Sequence, residues 1–200
     1  MKEQHPTNIA IFASGSGSNF DKIAKKAETG HLTCNVKILI CDKEQAMVME
    51  KAQALGIPVF SFRAKDYENK EAFEKEIVDR LQEEGVELVV LAGYMRLIGT
   101  TLLEAFPNRI VNIHPSLLPS FPGKDAVQQA LDARVKVTGV TVHFVDEGMD
   151  TGPIIAQEAV RVTTEDDVTS LQSKIQQVEH RLYPAVIQQL VEGEMYRVTT

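Results

Sequence analysis

A chain of 200 residues is long enough to bury a full apolar core without disulfide bonds or a structural metal. Its net charge of −7 argues against a broad basic surface for nucleic acid or an anionic membrane. No apolar run approaches the roughly 20 residues of a membrane-spanning helix, and the N-terminus lacks the apolar stretch of a signal peptide, so a cytoplasmic protein is expected.

Short apolar segments alternate with longer amphipathic ones through the first half of the chain. They predict strands at 8–13, 36–41, 59–62 and 88–91, and helices at 19–29, 43–55 and 70–84. Strands that alternate with helices of this length are typical of βαβ units. The strands of this half are therefore expected to be parallel.

The second half opens with a predicted strand at 110–114, followed by a Pro-rich loop at 115–122 and a helix at 124–133. Two β-rich runs, at 137–145 and 154–162, come next. Their short separation suits either an antiparallel pair or the edge of a mixed sheet.

A final helix is predicted to open at a capping box formed by Thr164 and Asp167, and to run to about Val191. Pro184 should kink or break this helix. We find no repeat and no linker, so we predict one domain with an α/β fold. The expected architecture is Rossmann-like and doubly wound, with a mainly parallel sheet of about seven strands flanked by helices.

The chain contains two cysteines, Cys34 and Cys41. If the segment between them is extended, they lie roughly 23 Å apart, which is too far for a disulfide bond. No combination of histidines and acids has the spacing of a metal site. We therefore expect two buried free thiols and no metal.

A glycine-rich turn, 14–19, follows the first predicted strand and precedes the first helix. Gly15 and Gly17 permit a left-handed backbone, so several amide N–H groups can point outward at the helix N-terminus, and Ser18 and Asn19 add side-chain donors. A dinucleotide fingerprint would need glycine at position 20, and no Gly-Lys-Ser/Thr follows as in a Walker motif. A monophosphate site is therefore predicted here.

The strand at 110–114 carries two polar side chains, Asn112 and His114, which point to the same face because they are two residues apart. An amide that stabilises an oxyanion beside an imidazole that moves a proton suits acyl-type transfer. Either side chain could instead have a purely structural role. A partner carboxylate for His114 could be Asp146, Glu147 or Asp150, and spacing alone does not choose among them.

The sequence resembles the folate-dependent formyltransferase family along nearly its whole length. The motifs that carry the resemblance are the turn at 14–19, Leu91-Ala-Gly-Tyr-Met-Arg-Leu97, Asn112-Ile-His-Pro-Ser-Leu-Leu-Pro119, Gly139-Val-Thr-Val-His-Phe-Val145 and Asp150-Thr-Gly-Pro153. Within that family, the turn and the length are most similar to the members that formylate glycinamide ribonucleotide in purine synthesis.

The resemblance implies an enzyme that transfers formyl from its co-substrate, 10-formyltetrahydrofolate, to the amine of glycinamide ribonucleotide. It also implies that Asn112 stabilises the oxyanion, that His114 donates a proton, and that Asp150 raises the pKa of His114. The resemblance thereby selects Asp150 from the three candidate acids.

The resemblance further implies two sets of binding residues. The ribonucleotide would contact Gly17, Ser18, Asn19, Met95, Pro115, Gln176 and Glu179. The folate would contact Lys70, Met95, Arg96, Leu97, Ile98, Asn112, Val145 and Asp146. Without the family match, Glu179 has the pattern of a solvated helix face. Some relatives are expected to carry arginine at position 70, and lysine lacks its bidentate fork.

We accordingly expect a formyltransferase domain over 1–200, with a phosphate-binding half at about 1–105 and a catalytic and folate-binding half at about 106–200. Three alternatives remain: a methionyl-tRNA formyltransferase, a formyltetrahydrofolate deformylase, and a non-catalytic nucleotide-binding module. The first two are expected to carry additional domains for which 200 residues leave no room. The protein is expected to be a monomer or a homodimer.

Overall fold

In the computed structural model, which describes residues 5–193, the chain forms one seven-stranded sheet with helices on both faces. The strands are β1 (Thr7–Phe12), β2 (Cys34–Cys41), β3 (Val59–Ser61), β4 (Leu88–Leu91), β5 (Ile110–His114), β6 (Val137–Phe144) and β7 (Ile154–Arg161). The helices are α1 (Ser18–Glu28), α2 (Met47–Ala54), α3 (Lys70–Glu83), α4 (Thr100–Ala105), α5 (Ala126–Asp132) and α6 (Val168–Val191).

The strand order is β3-β2-β1-β4-β5-β6-β7, and the first five of these strands are parallel. β6 pairs antiparallel with β5 and with β7, so the last two strands are both an antiparallel pair and the edge of a mixed sheet. The predicted α/β fold with a mainly parallel sheet of seven strands is confirmed. Because β2 and β4 flank β1, the chain changes direction across the sheet at β1, which is where open α/β sheets bind ligands.

The core lies in two layers, one on each face of the sheet. Alternate residues of β1 separate into these layers, with Ile9 and Ile11 on one face and Ala10 and Phe12 on the other. The first layer packs against α1, α2, α5 and α6, and the second packs against α3 and α4. Strands covered on both faces explain the unbroken apolar runs in the sequence.

One polar side chain crosses the first layer. Tyr183 of α6 is fully buried, and its hydroxyl donates to the carbonyl oxygens of Leu91 (2.9 Å) and Val111 (3.1 Å). These carbonyls belong to the neighbouring strands β4 and β5. The hydroxyl thus connects the final helix to the last residue of β4 and to the neighbouring strand β5.

We expect Tyr183→Phe to lower the free energy of unfolding by about 1–2 kcal/mol, because the ring still fills its space while the two carbonyls lose a buried donor. Chemical denaturation measures this change. Tyr67→Phe is the matched control, since the Tyr67 hydroxyl is only partly buried against Glu76. An equal loss in the two variants would contradict the role assigned to Tyr183.

The structure corrects two predicted elements in the first half. The helix predicted at 43–55 begins only at Met47, because residues 43–46 form a turn in which the Ala46 amide donates to the Lys43 carbonyl. No element was predicted between β4 and β5, where the structure has the short helix α4. Six residues are too few to show a helical period.

The structure also corrects the final helix. Asp167 rather than Thr164 caps it, because Asp166 accepts bonds from Thr163 and forms a separate turn, while Asp167 and Ser170 form the capping box. The helix does not break at Pro184. Tyr183, Val186 and Ile187 beside that position are buried, and their burial outweighs the roughly 3 kcal/mol cost of proline in a helix.

Cys34 and Cys41 lie at the two ends of β2 and are buried free thiols, as predicted. Burial raises the pKa of the Cys34 thiol to about 12, so this sulfur is not a reactive thiolate. Among the helices described within residues 5–193, none is long and apolar enough to cross a membrane.

Candidate active site

A cavity of about 760 Å³ opens at the carboxyl edge of the sheet, where β1, β4 and β5 end. All but one of the binding and catalytic residues named from the sequence line it: Gly17, Ser18, Asn19, Met95, Arg96, Leu97, Ile98, Asn112, His114, Pro115, Val145, Asp146, Asp150, Gln176 and Glu179. Lys70 is the exception. A cavity of this size suits small-molecule substrates.

The glycine-rich turn forms one end of the cavity. Gly17 has φ of +68° and precedes the first residue of α1, and no side chain caps that helix. A β-carbon at Gly17 would lie 2.4 Å from Cγ2 of Val48, so α2 packs directly against the turn. The first-turn amides of α1 thus face the cavity side of a tightly held turn, which is a suitable geometry for an anion.

Asn19 and Glu179 form a buried pair beside this turn. The Asn19 amide donates to the Glu179 carboxyl at 3.0 Å across 160 residues of sequence. Burial raises the pKa of Glu179, and the bond from Asn19 offsets part of the rise. The sequence pattern around Glu179 is that of a solvent-exposed helix face, but in the structure this residue is buried and lines the cavity.

Asn112, His114 and Asp150 meet at the other end of the cavity. His114 Nδ1 lies 3.4 Å from Asp150 Oδ2, although 36 residues separate them in the chain. Asp150 reaches this position from the loop after β6. That loop approaches the strand closely at Gly152, where a β-carbon would lie 1.9 Å from the Phe144 carbonyl oxygen.

The Asp150 carboxyl is ionised more readily than an ordinary aspartate. Burial raises its pKa, but the neighbouring rings of His143 and His114 and the hydrogen bond from the Gly123 amide together lower it by more, so its pKa lies below the usual range. The Gly123 amide donates to Asp150 Oδ2 at 2.7 Å. A carboxylate held in this way favours the protonated form of a neighbouring imidazole.

Each ring nitrogen of His114 has a neighbouring oxygen. Its Nε2 donates to the Phe121 carbonyl at 2.8 Å, while Nδ1 faces the Asp150 carboxylate. Both neighbours are hydrogen-bond acceptors, so they fix the orientation of the ring. Phe121 has φ of +55°, so this carbonyl is presented by a left-handed backbone within the Pro-rich loop.

His143 is a site residue that the sequence analysis missed. Its Nδ1 donates to the Phe144 carbonyl at 2.8 Å, which leaves Nε2 as the acceptor for the Asn112 amide at 3.2 Å. Asn112 and His143 are direct partners in the β5–β6 pairing. The available signal was a polar residue within the apolar run of β6, but its partner depends on strand register.

Residues 93–98, which we name the wall segment, form a side of the cavity between β4 and α4. Met95 and Leu97 expose 64% and 50% of their surface, which is unusual for large apolar residues and suits a wall that an organic ring can cover. Arg96 forms an ion pair with Asp42, with 2.8 Å between Nε and Oδ2.

Lys70 lies outside the cavity lining. Its Nζ is 3.8 Å from Glu74, whose buried carboxylate accepts the Gly99 amide at 2.7 Å. Burial raises the pKa of Glu74, and the Gly99 amide and Lys70 lower it in part. Lys70 is thus occupied by an intramolecular partner next to the wall segment.

Within residues 5–193, no three histidine, cysteine, aspartate or glutamate side chains are grouped so that they could hold a metal ion. The polar groups described above include the Asn112 amide, the imidazoles of His114 and His143, carboxylates and backbone amides. They can donate hydrogen bonds, move protons and bind anions.

A family model described as formyl transferase matches residues 7–187. The chain belongs to the formyl transferase family. The family match spans both ends of the cavity, from the glycine-rich turn to α6.

Three relatives are similar over nearly the whole length of this formyl transferase. The phosphoribosylglycinamide formyltransferase of Bacillus subtilis is 54% identical over 183 residues, which cover 92% of this chain and 94% of the relative. The crystal structure of phosphoribosylglycinamide formyltransferase from Bacillus halodurans is 54% identical, with a TM-score of 0.92, over 97% of this chain and all of that one. Glycinamide ribonucleotide transformylase 1 from Symbiobacterium toebii is 45% identical, with a TM-score of 0.93, over 96% of this chain and 90% of that one.

Proposed function

We propose that this formyl transferase moves the formyl group of 10-formyltetrahydrofolate to the amino group of glycinamide ribonucleotide, a step of purine synthesis. The carrying observation is that one cavity is lined both by the glycine-rich turn and by Asn112, His114 and Asp150. The 54% identity to a phosphoribosylglycinamide formyltransferase over nearly the whole chain supports this substrate pair.

The reaction requires the substrate amine to attack the formyl carbon. As the new C–N bond forms, the carbonyl oxygen gains negative charge, and the bond from the carbon to N10 of the folate then breaks. The amine nitrogen must lose a proton and N10 must gain one. Donors aimed at the oxygen and a group that moves the proton are therefore needed.

Asn112 and His114 are suited to these two tasks. Since His143 accepts one N–H of the Asn112 amide, the second N–H is left to stabilise the oxyanion. The protonated His114 supplies further positive charge. Its Nε2–H exchanges the Phe121 carbonyl for the substrate and donates the proton as the tetrahedral carbon collapses. Asp150 stabilises the imidazolium, and His143 orients Asn112.

The substrates are proposed to bind on two sides of the reacting centre. The turn containing Gly17, Ser18 and Asn19 holds the ribonucleotide phosphate, with Gln176 and Glu179 near the ribose and Met95 and Pro115 against the substrate. The folate lies against Met95, Arg96, Leu97 and Ile98, with Asn112, Val145 and Asp146 near its ring. The apolar side chains of the wall segment fit a flat ring. A direct contact of Lys70 with the folate has less support, because Glu74 already pairs with it.

The division into a phosphate-binding half at about 1–105 and a catalytic and folate-binding half at about 106–200 remains part of this proposal. It describes function rather than separate folding units, because Glu179 of the second half bonds Asn19 of the first. The buried free thiols suit a reducing compartment such as the cytoplasm, and the charge of −7 disfavours nucleic acid or an anionic membrane as a partner. A monomer or a homodimer remains the proposed assembly.

The deciding experiment incubates the purified protein with 10-formyltetrahydrofolate and follows tetrahydrofolate formation with and without glycinamide ribonucleotide. We expect formation only when the ribonucleotide is present, together with the formylated ribonucleotide in equal amount. Formation at the same rate without the ribonucleotide would identify a deformylase instead. No turnover in either mixture would favour a non-catalytic module.

We expect Ser18→Ala to raise KM for glycinamide ribonucleotide by roughly three- to tenfold while KM for the folate changes little, because one phosphate donor is lost. Asn19→Ala should have a larger effect, since it also removes the partner of the buried Glu179. Steady-state kinetics with each substrate varied in turn measures both constants. Equal changes in the two KM values would mean that the turn is only structural.

A further inference from the structure

Asp42 is a buried acid to which the proposed reaction assigns no role. It follows the last residue of β2, and its side chain is only 4% exposed. One carboxyl oxygen accepts the Ser14 hydroxyl at 2.5 Å, and the other accepts Arg96 Nε at 2.8 Å. A buried carboxylate is costly unless it is paired, and here both oxygens have partners.

These partners connect the ends of three neighbouring strands. Ser14 comes just after β1, Asp42 just after β2, and Arg96 belongs to the wall segment that follows β4. The Ser14 hydroxyl also accepts the Met95 amide at 2.9 Å. Asp42 therefore contacts the wall segment directly through Arg96 and indirectly through Ser14 and Met95.

The wall segment contains no helix or strand, so the packing of Tyr94 and Ile98 against the core and a few individual bonds hold it in place. Its first residue, Gly93, accepts the Ser14 amide at 3.1 Å, and just beyond its end Gly99 donates to Glu74. Between these two points, the described side-chain bonds to the segment are those of Ser14 and Asp42.

We propose that Asp42 is a positioning residue for the folate side of the cavity: it holds Arg96 and, through Ser14, the Met95 backbone, so folate affinity depends on it more strongly than ribonucleotide affinity does. This inference rests on the proposed function for the identity of the two ligands. Folates carry carboxylates and a flat ring, and the wall segment presents a half-exposed guanidinium beside two exposed apolar side chains.

The isosteric variant Asp42→Asn keeps the shape of the side chain and removes its charge, so it distinguishes the effect of the hydrogen bonds from that of the charge. In Asp42→Asn, the amide oxygen can accept Arg96 and the amide nitrogen can donate to Ser14, whose hydroxyl oxygen can still accept Met95. In Asp42→Ala, all these bonds are lost. We therefore expect the asparagine variant to retain most of the folate affinity that the alanine variant loses.

The test is a calorimetric titration of each variant with tetrahydrofolate and, separately, with glycinamide ribonucleotide. We expect Asp42→Ala to raise Kd for tetrahydrofolate about tenfold and Kd for the ribonucleotide less than about twofold, with Asp42→Asn within about threefold of wild type for both. Glu84→Ala, which removes the acid of the exposed pair with Lys37, is the matched control and should change neither constant.

A double-mutant cycle with Arg96→Ala shows whether Asp42 acts through the arginine. We expect each single variant and the double variant to weaken tetrahydrofolate binding by about the same tenfold, because coupled residues are not additive. A hundredfold loss in the double variant, an equal loss for both ligands, or tighter folate binding in either Asp42 variant would overturn the proposal.

Two features of the experiment distinguish a failure of this inference from a folding defect and from a failure of the proposed function. If Asp42→Ala does not fold, Ser14→Ala tests the same connection, because it frees the Met95 amide without leaving an unpaired buried charge. Because binding is measured without turnover, a wild-type protein that binds tetrahydrofolate but transfers no formyl group would defeat the proposed reaction alone. Additive losses in a protein that transfers formyl normally would defeat this inference alone.

Discussion

Replacing His114 with alanine is expected to lower kcat for formyl transfer by roughly 10²–10⁴-fold, the range typical of losing a positioned general acid. The variant loses both the imidazolium charge near the developing oxyanion and the proton that the collapsing intermediate needs. KM for glycinamide ribonucleotide should change little, because the turn proposed to hold its phosphate follows β1, two strands away from β5. Steady-state kinetics at saturating substrates measures the effect.

The matched control is His31→Ala, since His31 is exposed and bonds only its neighbour Thr29. That variant should retain wild-type kcat. The His114 variant should also unfold at a temperature near that of wild type, so that a fall in kcat reflects chemistry. A folded His114→Ala protein with kcat within about threefold of wild type would contradict the assigned role.

Replacing Asp150 with asparagine is expected to lower kcat by roughly 10²-fold, because the neutral amide no longer stabilises the His114 imidazolium. The position of the side chain at residue 150 should be retained in this variant. Asp150 has φ of +58°, which asparagine tolerates, and the amide oxygen can still accept the Gly123 amide. Asp132→Asn, on the exposed end of α5, is the matched control.

The Asp150→Asn variant should also change how the free energy of unfolding depends on pH. The pKa of Asp150 is lower in the folded protein, so its carboxylate stabilises the fold above the unfolded pKa of about 4, and this contribution disappears as the pH falls through the folded pKa. The difference in unfolding free energy attributable to the carboxylate should therefore be largest near neutral pH and shrink as the pH falls below about 4. A difference that is constant with pH would contradict this reading.

Much of the site follows from local sequence. The turn at 14–19 and the helix after it can be recognised because glycine and serine at that position have few other structural uses. Asn112 and His114 can be placed on one face because the side-chain period of a strand is two. Apolar runs predict all seven strands, two of them with the bounds that the structure has and the other five within two residues.

The remaining features depend on contacts between distant parts of the chain. Spacing alone does not distinguish Asp146, Glu147 and Asp150 as the partner of His114. The resemblance selects Asp150, and the position of the loop after β6 places this carboxyl beside His114. His143 joins the site through the β5–β6 register, Glu179 through the docking of α6 against α1, and Asp42 through the order of three strands.

The sequence by itself determined the class of fold, the turn that suits an anion and the polar pair on β5, because each depends on residues close together in the chain. The tertiary structure decided which acid faces His114, that the Asn112 amide contacts His143, and that Asp42 connects Ser14 of the glycine-rich turn to the wall segment. The physical reason is that these contacts join residues 28 to 54 positions apart, and chain topology rather than local preference brings such residues together.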